Sequence, residues 1–304
     1  MTDQPTRVVT DSMIGLDMPD IDVWSERVAV VLGQNPGPFT GPGTNTYLVG
    51  TGRRPLLLDT GQGVPQYLPL LERALRETRG GEGLQEIVLT HGHADHMGGV
   101  DGVRQRFGPL TVTKRRWDKL DGDLDILAVD DGAELYADGV TLQALWTPGH
   151  AWDHLCWYMP EEHALFTGDV VLGAGTTVIP PDGDLGDYLC SLRRLLELDV
   201  AVLYPAHGPA IRTPRAKIES YLAHRALRDR QILAGLGAGE RTVMGLVRRI
   251  YTDVPEFLHA AAAMSVAAHL RKLEQDGAVM RDGEEWALRA LAVTLLGSCP
   301  SLTA

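Results

Sequence analysis

The chain has 304 residues, 44% of them hydrophobic and 22% charged, an ordinary globular composition that excludes disorder and collagen-like structure. Asp and Glu number 40 against 28 Lys and Arg, giving a formal charge of −12, and repulsion from phosphate argues against a simple nucleic-acid binder. Cys156, Cys190 and Cys299 are too few and too irregular for a disulfide framework or a Cys-rich zinc site, which fits a reducing cytosol.

The N-terminal run has neither a basic segment followed by an apolar one nor an Arg-rich amphipathic pattern, so no signal or import sequence is expected. Apolar stretches such as 287–297 are too short to span a bilayer. A cytoplasmic protein without a membrane partner is the expectation. In chain order, runs rich in Val, Leu and Ile predict strands at 28–32, 46–49, 55–59 and 86–90. Leu68, Leu71 and Leu75 recur on one face and predict a helix over 65–79. Further strands are expected at 110–113, 139–146, 155–159 and 164–167, with Glu161 and Glu162 in the turn before the last. Leu189, Leu192 and Leu196 predict a helix over 187–198, and 200–204 reads as a buried strand ending at Pro205.

Strands then stop. A long amphipathic helix is expected at 214–234, stopped by Gly235 and Gly237. Helices at 242–251 and 255–275 follow, the second ended by Gly277, and then strands at 278–280 and 285–288 flank the turn Asp282-Gly283. Helix, helix, hairpin is the order of a winged helix. The expected organisation is therefore a large domain over 1–213, a winged-helix-like module over 214–292 and a tail over 293–304. Charge divides in the same place: residues 1–210 hold 15 Lys and Arg against 30 Asp and Glu, whereas residues 211–290 hold 13 against 10.

The sharpest feature is Thr90-His91-Gly92-His93-Ala94-Asp95-His96, directly after a strand. His91 and His93 lie two apart, so in an extended turn they point the same way and can share one metal, while Asp95 and His96 can turn onto a second. Imidazole and carboxylate donors suit zinc, with iron or manganese as substitutes. His150, Asp169 and His207 each follow a strand and complete a dinuclear set, with Asp169 placed to bridge. Two metals about 3.5–4 Å apart can share a hydroxide whose pKa falls toward about 7. Asp59, at another strand end, reads either as a carboxylate orienting a ligand His or a buried loop, or as a turn cap. His154 either orients substrate or a ligand, or simply packs. His163, His224, His259 and His269 read as surface, helix or core residues.

The motifs HGHADH at 91–96, TPGH at 147–150, FTGD at 166–169 and YPAHGP at 204–209 resemble the metallo-beta-lactamase superfamily, in that family's order. The resemblance implies an α/β fold: an αβ/βα sandwich of two mixed sheets face to face, helices outside and metals at one edge. Segments 35–40, 43–50 and 175–178, with YPAHGPAI and the C-terminal winged helix, are similar to the beta-lactamase-like protein 2 branch. That likeness implies a zinc-dependent endoribonuclease acting on single-stranded RNA. It would hold two Zn2+, with His91, His93 and His150 on one, Asp95, His96 and His207 on the other, and Asp169 bridging; Asp95, His96 and Asp169 would be catalytic. It further implies Asn45, Thr46, Thr176, Thr177 and Tyr204 as pocket residues. Arg248, Arg249, Arg271, Lys272 and Arg281 read as RNA-backbone contacts or as a solvated helix face. The same branch includes thioesterases that release polyketides from carrier proteins, so hydrolysis of a small acyl substrate, thioester or lactone in the manner of glyoxalase II, is the alternative. Beta-lactam hydrolysis is a minor one, because Asp169 stands where the commonest beta-lactamases carry a Cys ligand. A homodimer is left open.

Overall fold

Strands β1 (Ile21–Val23), β2 (Val28–Leu32), β3 (Asn45–Val49), β4 (Leu56–Leu58), β5 (Ile87–Val88), β6 (Val112–Lys114) and β7 (Leu127–Ala128) pair in that order into a first sheet. Pairing is antiparallel from β1 to β4 and parallel from β4 to β7. Strands β8 (Glu134–Ala137), β9 (Val140–Trp146), β10 (Leu155–Met159), β11 (Ala164–Gly168) and β12 (Val202–Pro205) form a second. There only the last pair is parallel. The computed structural model describes residue 13, residues 15–81 and residues 83–289; most of the N-terminal run and the expected tail lie outside them.

The sheets face each other because strands such as β2, β3, β10 and β11 bury both of their faces. On β2, Val28 and Val30 point between the sheets while Ala29 and Val31 point outward; on β10, Leu155, Trp157 and Met159 point inward and Cys156 outward. A strand covered on both sides reads as a continuous apolar run rather than an alternation. Helices α1 (Tyr67–Arg79) and α3 (Val100–Phe107) cover the first sheet through Leu71, Leu75 and Val103. Between them lies the short α2 (Ala94–Met97), and α4 (Asp118–Asp121) follows β6. Helix α5 (Leu185–Leu196) covers the second sheet together with the first half of α6 (Pro214–Gly237), through Tyr188, Leu192, Ile218 and Tyr221. This is the expected αβ/βα sandwich.

The second half of α6, with α7 (Val243–Ile250), α8 (His259–Gln275) and the hairpin of β13 (Val279–Asp282) and β14 (Glu285–Leu288), encloses a separate core of Ile232, Leu246, Val266, Leu270 and Trp286. The expected boundary at 213/214 thus falls at the start of a helix that packs into both cores. Gly235 does not stop α6. A side-chain carbon there would meet Leu246 at 2.6 Å, so this glycine lets α7 approach closely. Helix α8 starts at His259, after a 3-10 turn over Glu256–Leu258, rather than at 255.

Strands β1, β7 and β8 and helices α2, α3 and α4 were not expected, being too short or too exposed for their periodicity to register. Cys156 is free and buried, whereas Cys190 is disulfide-bonded, against the expectation drawn from the cysteine count. Among the described residues no helix is long and apolar enough to cross a membrane.

Candidate metal centre

Strand register brings the candidate ligands to one edge. β4 and β5 run parallel with Leu58 opposite Val88, so Asp59 and the His-rich run leave the first sheet together. β11 and β12 run parallel with Gly168 opposite Pro205, so Asp169 and His207 leave the second sheet together. The β9–β10 connection delivers His150 and His154, and a backbone bridge from Thr44 to His207 ties the two sheets at this edge. His93 is extended, with φ −70° and ψ 150°, and α2 starts immediately after it, so Asp95 and His96 occupy a helical first turn.

All seven candidate ligands converge in two groups. His93 Nδ1 lies 3.0 Å from both His91 Nε2 and His150 Nε2. His207 Nε2 lies 3.4 Å from Asp95 Oδ2 and 3.2 Å from Asp169 Oδ1, and His96 Nε2 lies 3.5 Å from each of the same oxygens. The other oxygen of Asp169, Oδ2, turns to His150 Nε2 at 3.3 Å. Asp169 therefore presents one oxygen to each group. His96 Nε2 and Asp169 Oδ1 are buried without a hydrogen-bond partner, which is rare for such atoms. Imidazole nitrogens and carboxylate oxygens converging on one space, with two of them orphaned, form a donor set that could hold a divalent cation.

The two groups differ electrostatically. Burial, followed by the surrounding imidazoles, holds His91 far below its ordinary value and brings His93 to about 4. Burial opposes protonation of His96 and His207 as well, but Asp95 and Asp169 outweigh it; His96 rises well above its ordinary value and His207 reaches about 9. Burial would raise both carboxyls, yet the His96 and His207 rings bring Asp95 to about 2 and Asp169 well below its ordinary value. One side thus holds His91 and His93 as neutral imidazoles, whereas on the other the Asp95 and Asp169 carboxylates face protonated His96 and His207 rings.

A layer of hydrogen bonds aims the rings. Buried Asp59 accepts from His96 Nδ1 at 2.8 Å and from the Thr90 amide at 2.8 Å, and it also accepts from the Thr90 hydroxyl. That hydroxyl is 3.0 Å from His91 Nδ1, so one carboxylate orients a ring of each group. His150 Nδ1 donates to the Val178 carbonyl at 2.8 Å, which leaves its Nε2 facing the centre. His154 is fully buried; its Nε2 accepts the Asp169 amide at 3.1 Å, so its Nδ1 carries the proton toward Thr147 Oγ1 at 2.9 Å. His154 thereby holds the backbone of Asp169.

Three expected pocket residues lie elsewhere. Asn45 is buried, and its amide donates to the Pro205 and Gly208 carbonyls, both at 2.8 Å, so it fastens the loop that carries His207. Thr46 donates to the Val31 carbonyl and contacts the Tyr67 hydroxyl on the outer side of the first sheet. Tyr204 is 1% exposed, in the inter-sheet core, with its ring against Trp24 and Phe166. Thr176 is half-buried, and the hydroxyl of its neighbour Thr177 donates to the Asp169 carbonyl at 2.8 Å. Sequence reasoning missed Thr90, whose only signal was its place before His91. It also missed Lys114, which is fully buried, pairs with Asp121 and reaches Asp153 Oδ2 at 2.7 Å, beneath Gly92.

Comparison with known proteins bears on this centre. Residues 39–207 match the metallo-beta-lactamase superfamily, and residues 242–286 match the beta-lactamase associated winged helix domain. The chain is 40% identical to the beta-lactamase-like protein 2 homolog of Caenorhabditis elegans over 264 residues, 85% of this chain and 88% of that protein. It is 38% identical to an atrochrysone carboxyl ACP thioesterase of Aspergillus novofumigatus over 276 residues, 86% of this chain and 83% of that one. Among solved structures, a metallo-beta-lactamase family protein from Thermus thermophilus superposes with a TM-score of 0.74 at 25% identity, covering 88% of this chain and all (100%) of that one.

Proposed function

The chain belongs to the metallo-beta-lactamase superfamily, and on that premise we propose that it is a dinuclear metal-dependent hydrolase, with zinc as its metal, that cleaves acyl thioesters. The observation that carries the hydrolase reading is the division of Asp169 between two donor groups. His91, His93 and His150 would hold one ion, Asp95, His96 and His207 the other, and Asp169 both. Divalent ions in such a site supply Lewis acidity toward a carbonyl and lower the pKa of water. The chain's own part is to fix the donors. Asp59 holds His96, and through Thr90 His91, at set ring angles; the backbone carbonyl of Val178 does the same for His150.

The thioester is favoured by the likeness to the fungal carrier-protein thioesterase. It is favoured too by the acidic body, because 30 carboxylates against 15 cations over residues 1–210 repel a polyanion more than an acyl chain. Cleavage of single-stranded RNA is the second reading. The exposed Arg248 and Arg249 on α7 favour it, as side chains free to meet a phosphate backbone.

Purified protein, with and without chelator, should be given an acyl carrier-protein thioester, labelled single-stranded RNA, a lactone and a beta-lactam. The thioester is expected to turn over, chelator and Asp95→Ala are expected to abolish that turnover, and RNA is expected to stay intact. RNA cleavage with the thioester untouched would replace the first reading with the second.

A further inference from the structure

Residues 170–184 form a strap between Asp169 and α5. On one side it touches three of the candidate ligand segments. The Gly173 amide donates to the His207 carbonyl at 2.8 Å, Thr177 Oγ1 donates to the Asp169 carbonyl at 2.8 Å, and the Val178 carbonyl accepts from His150 Nδ1 at 2.8 Å. On the other side it is gripped by the C-terminal helices. From α6, the Tyr221 hydroxyl donates to the Gly175 carbonyl at 2.9 Å and Arg225 Nη2 donates to the Thr177 carbonyl. From α8, Arg271 Nη2 donates to the Pro180 carbonyl at 3.3 Å and Gln275 Nε2 to Asp184 Oδ2 at 3.2 Å.

Arg225 sits at the centre of this grip. It is 3% exposed, and its guanidinium lies 5.3 Å from the centroid of the Tyr188 ring. Among the described residues no carboxylate pairs with it, and its neighbours include His224, Arg228 and His269. A buried guanidinium without a counter-ion is costly, and an apolar side chain would fill the space at less cost. What the guanidinium supplies instead is a donor to the one residue whose hydroxyl holds Asp169 and whose next carbonyl holds His150.

We propose that Arg225 is a positioning residue for the metal-ligand set, acting through Thr177 and Val178, and that α6 and α8 brace the strap through which it acts. The winged-helix module is then part of the machinery that shapes the centre. The inference rests on the metal-centre reading above and is independent of which substrate is cleaved.

The test uses the full-length chain and Co2+ as a spectroscopic probe. Wild type, Arg225→Ala, Arg225→Lys and Arg271→Ala are titrated with Co2+ while visible absorption is followed, and the metal-free proteins are unfolded in parallel with denaturant. Arg225→Ala is expected to weaken Co2+ binding by about 10–100-fold, the usual effect of removing a group that orients a ligand, and to change the absorption bands. Arg225→Lys should recover part of the affinity, and Arg271→Ala should weaken it less than Arg225→Ala. If Arg225→Ala does not fold, the other two variants carry the test. Variants that lose stability but keep wild-type affinity and spectrum would overturn the proposal, because a purely structural role predicts that pattern. Wild type that binds no Co2+ would overturn the metal-centre reading itself, and this inference with it.

Discussion

At the scale of single residues, Asp169 carries the most. Its two oxygens face different donor groups, so Asp169→Ala should lose the second ion before the first. Elemental analysis of the purified variant checks this; two retained ions per chain would refute the sharing. Asp59 is buried and accepts from His96 Nδ1 and from Thr90. Asp59→Asn keeps the shape but presents an amide N–H2 donor where one of those donors needs an acceptor. Its affinity for the metal should fall by about 10–100-fold, read by competition with a chelator of known strength, and unchanged affinity would reduce Asp59 to a turn cap. The sequence offered both readings of Asp59; its hydrogen bonds to His96 and Thr90 favour the first.

Elements matter where they impose backbone geometry. Gly168 ends β11 at φ +48°, and a side-chain carbon there would sit 2.4 Å from His154 Nε2. Gly168→Ala combines left-handed strain of about 1–2 kcal/mol with displacement of the ring that holds the Asp169 amide. It should lower both the melting temperature and the metal content, whereas a loss of stability alone would mean that His154 tolerates the shift. Helix α6 offers a pH test. Burial, then the charges of Arg225, Arg228 and His269, brings His224 from the ordinary 6.5 to about 4. The unfolded chain therefore takes up a proton below about 6.5 that the folded chain refuses until about 4, and wild-type stability is lost across that window as pH falls. His224→Gln removes this term, so denaturant midpoints of wild type and variant should diverge on acidification, with wild type falling faster. Parallel curves would show that His224 is not held neutral.

Across the whole molecule, the two cores share α6. Ile218 and Tyr221 belong to the core under the second sheet, while Ile232 and Leu236 belong to the C-terminal core. A buried aliphatic or aromatic side chain contributes about 1.5–3 kcal/mol, so removing α6 uncovers more than a marginally stable domain tolerates. A chain ending at residue 213 should not unfold cooperatively or load metal, measured by calorimetry and elemental analysis. A truncated protein with wild-type metal content would show that the sandwich stands alone. The charge of −12 also reads differently at this scale. Part of the acidity lies in Asp95 and Asp169, and two bound divalent ions would add four positive charges beside them.

The seven candidate ligands, the two mixed sheets and the C-terminal winged helix were legible in the sequence. The reason is local: His and Asp packed within a few positions of strand ends, and apolar strands long enough to register, are properties of neighbouring residues. Asn45 and Tyr204 were read as pocket residues because they stand in shared motifs, yet the side of the sheet they face is decided by strand pairing. Short elements such as β7 and α4 carry too few residues for a period. Arg225 and Thr177 are 48 positions apart, and nothing near either one marks the other. By itself the sequence determined which groups can hold a metal. Only the tertiary structure decided that Asp169 turns one oxygen to each group, that Asp59 and His154 aim the ligands, and that the C-terminal helices grip the strap between them, since each depends on side chains meeting across elements distant in the chain.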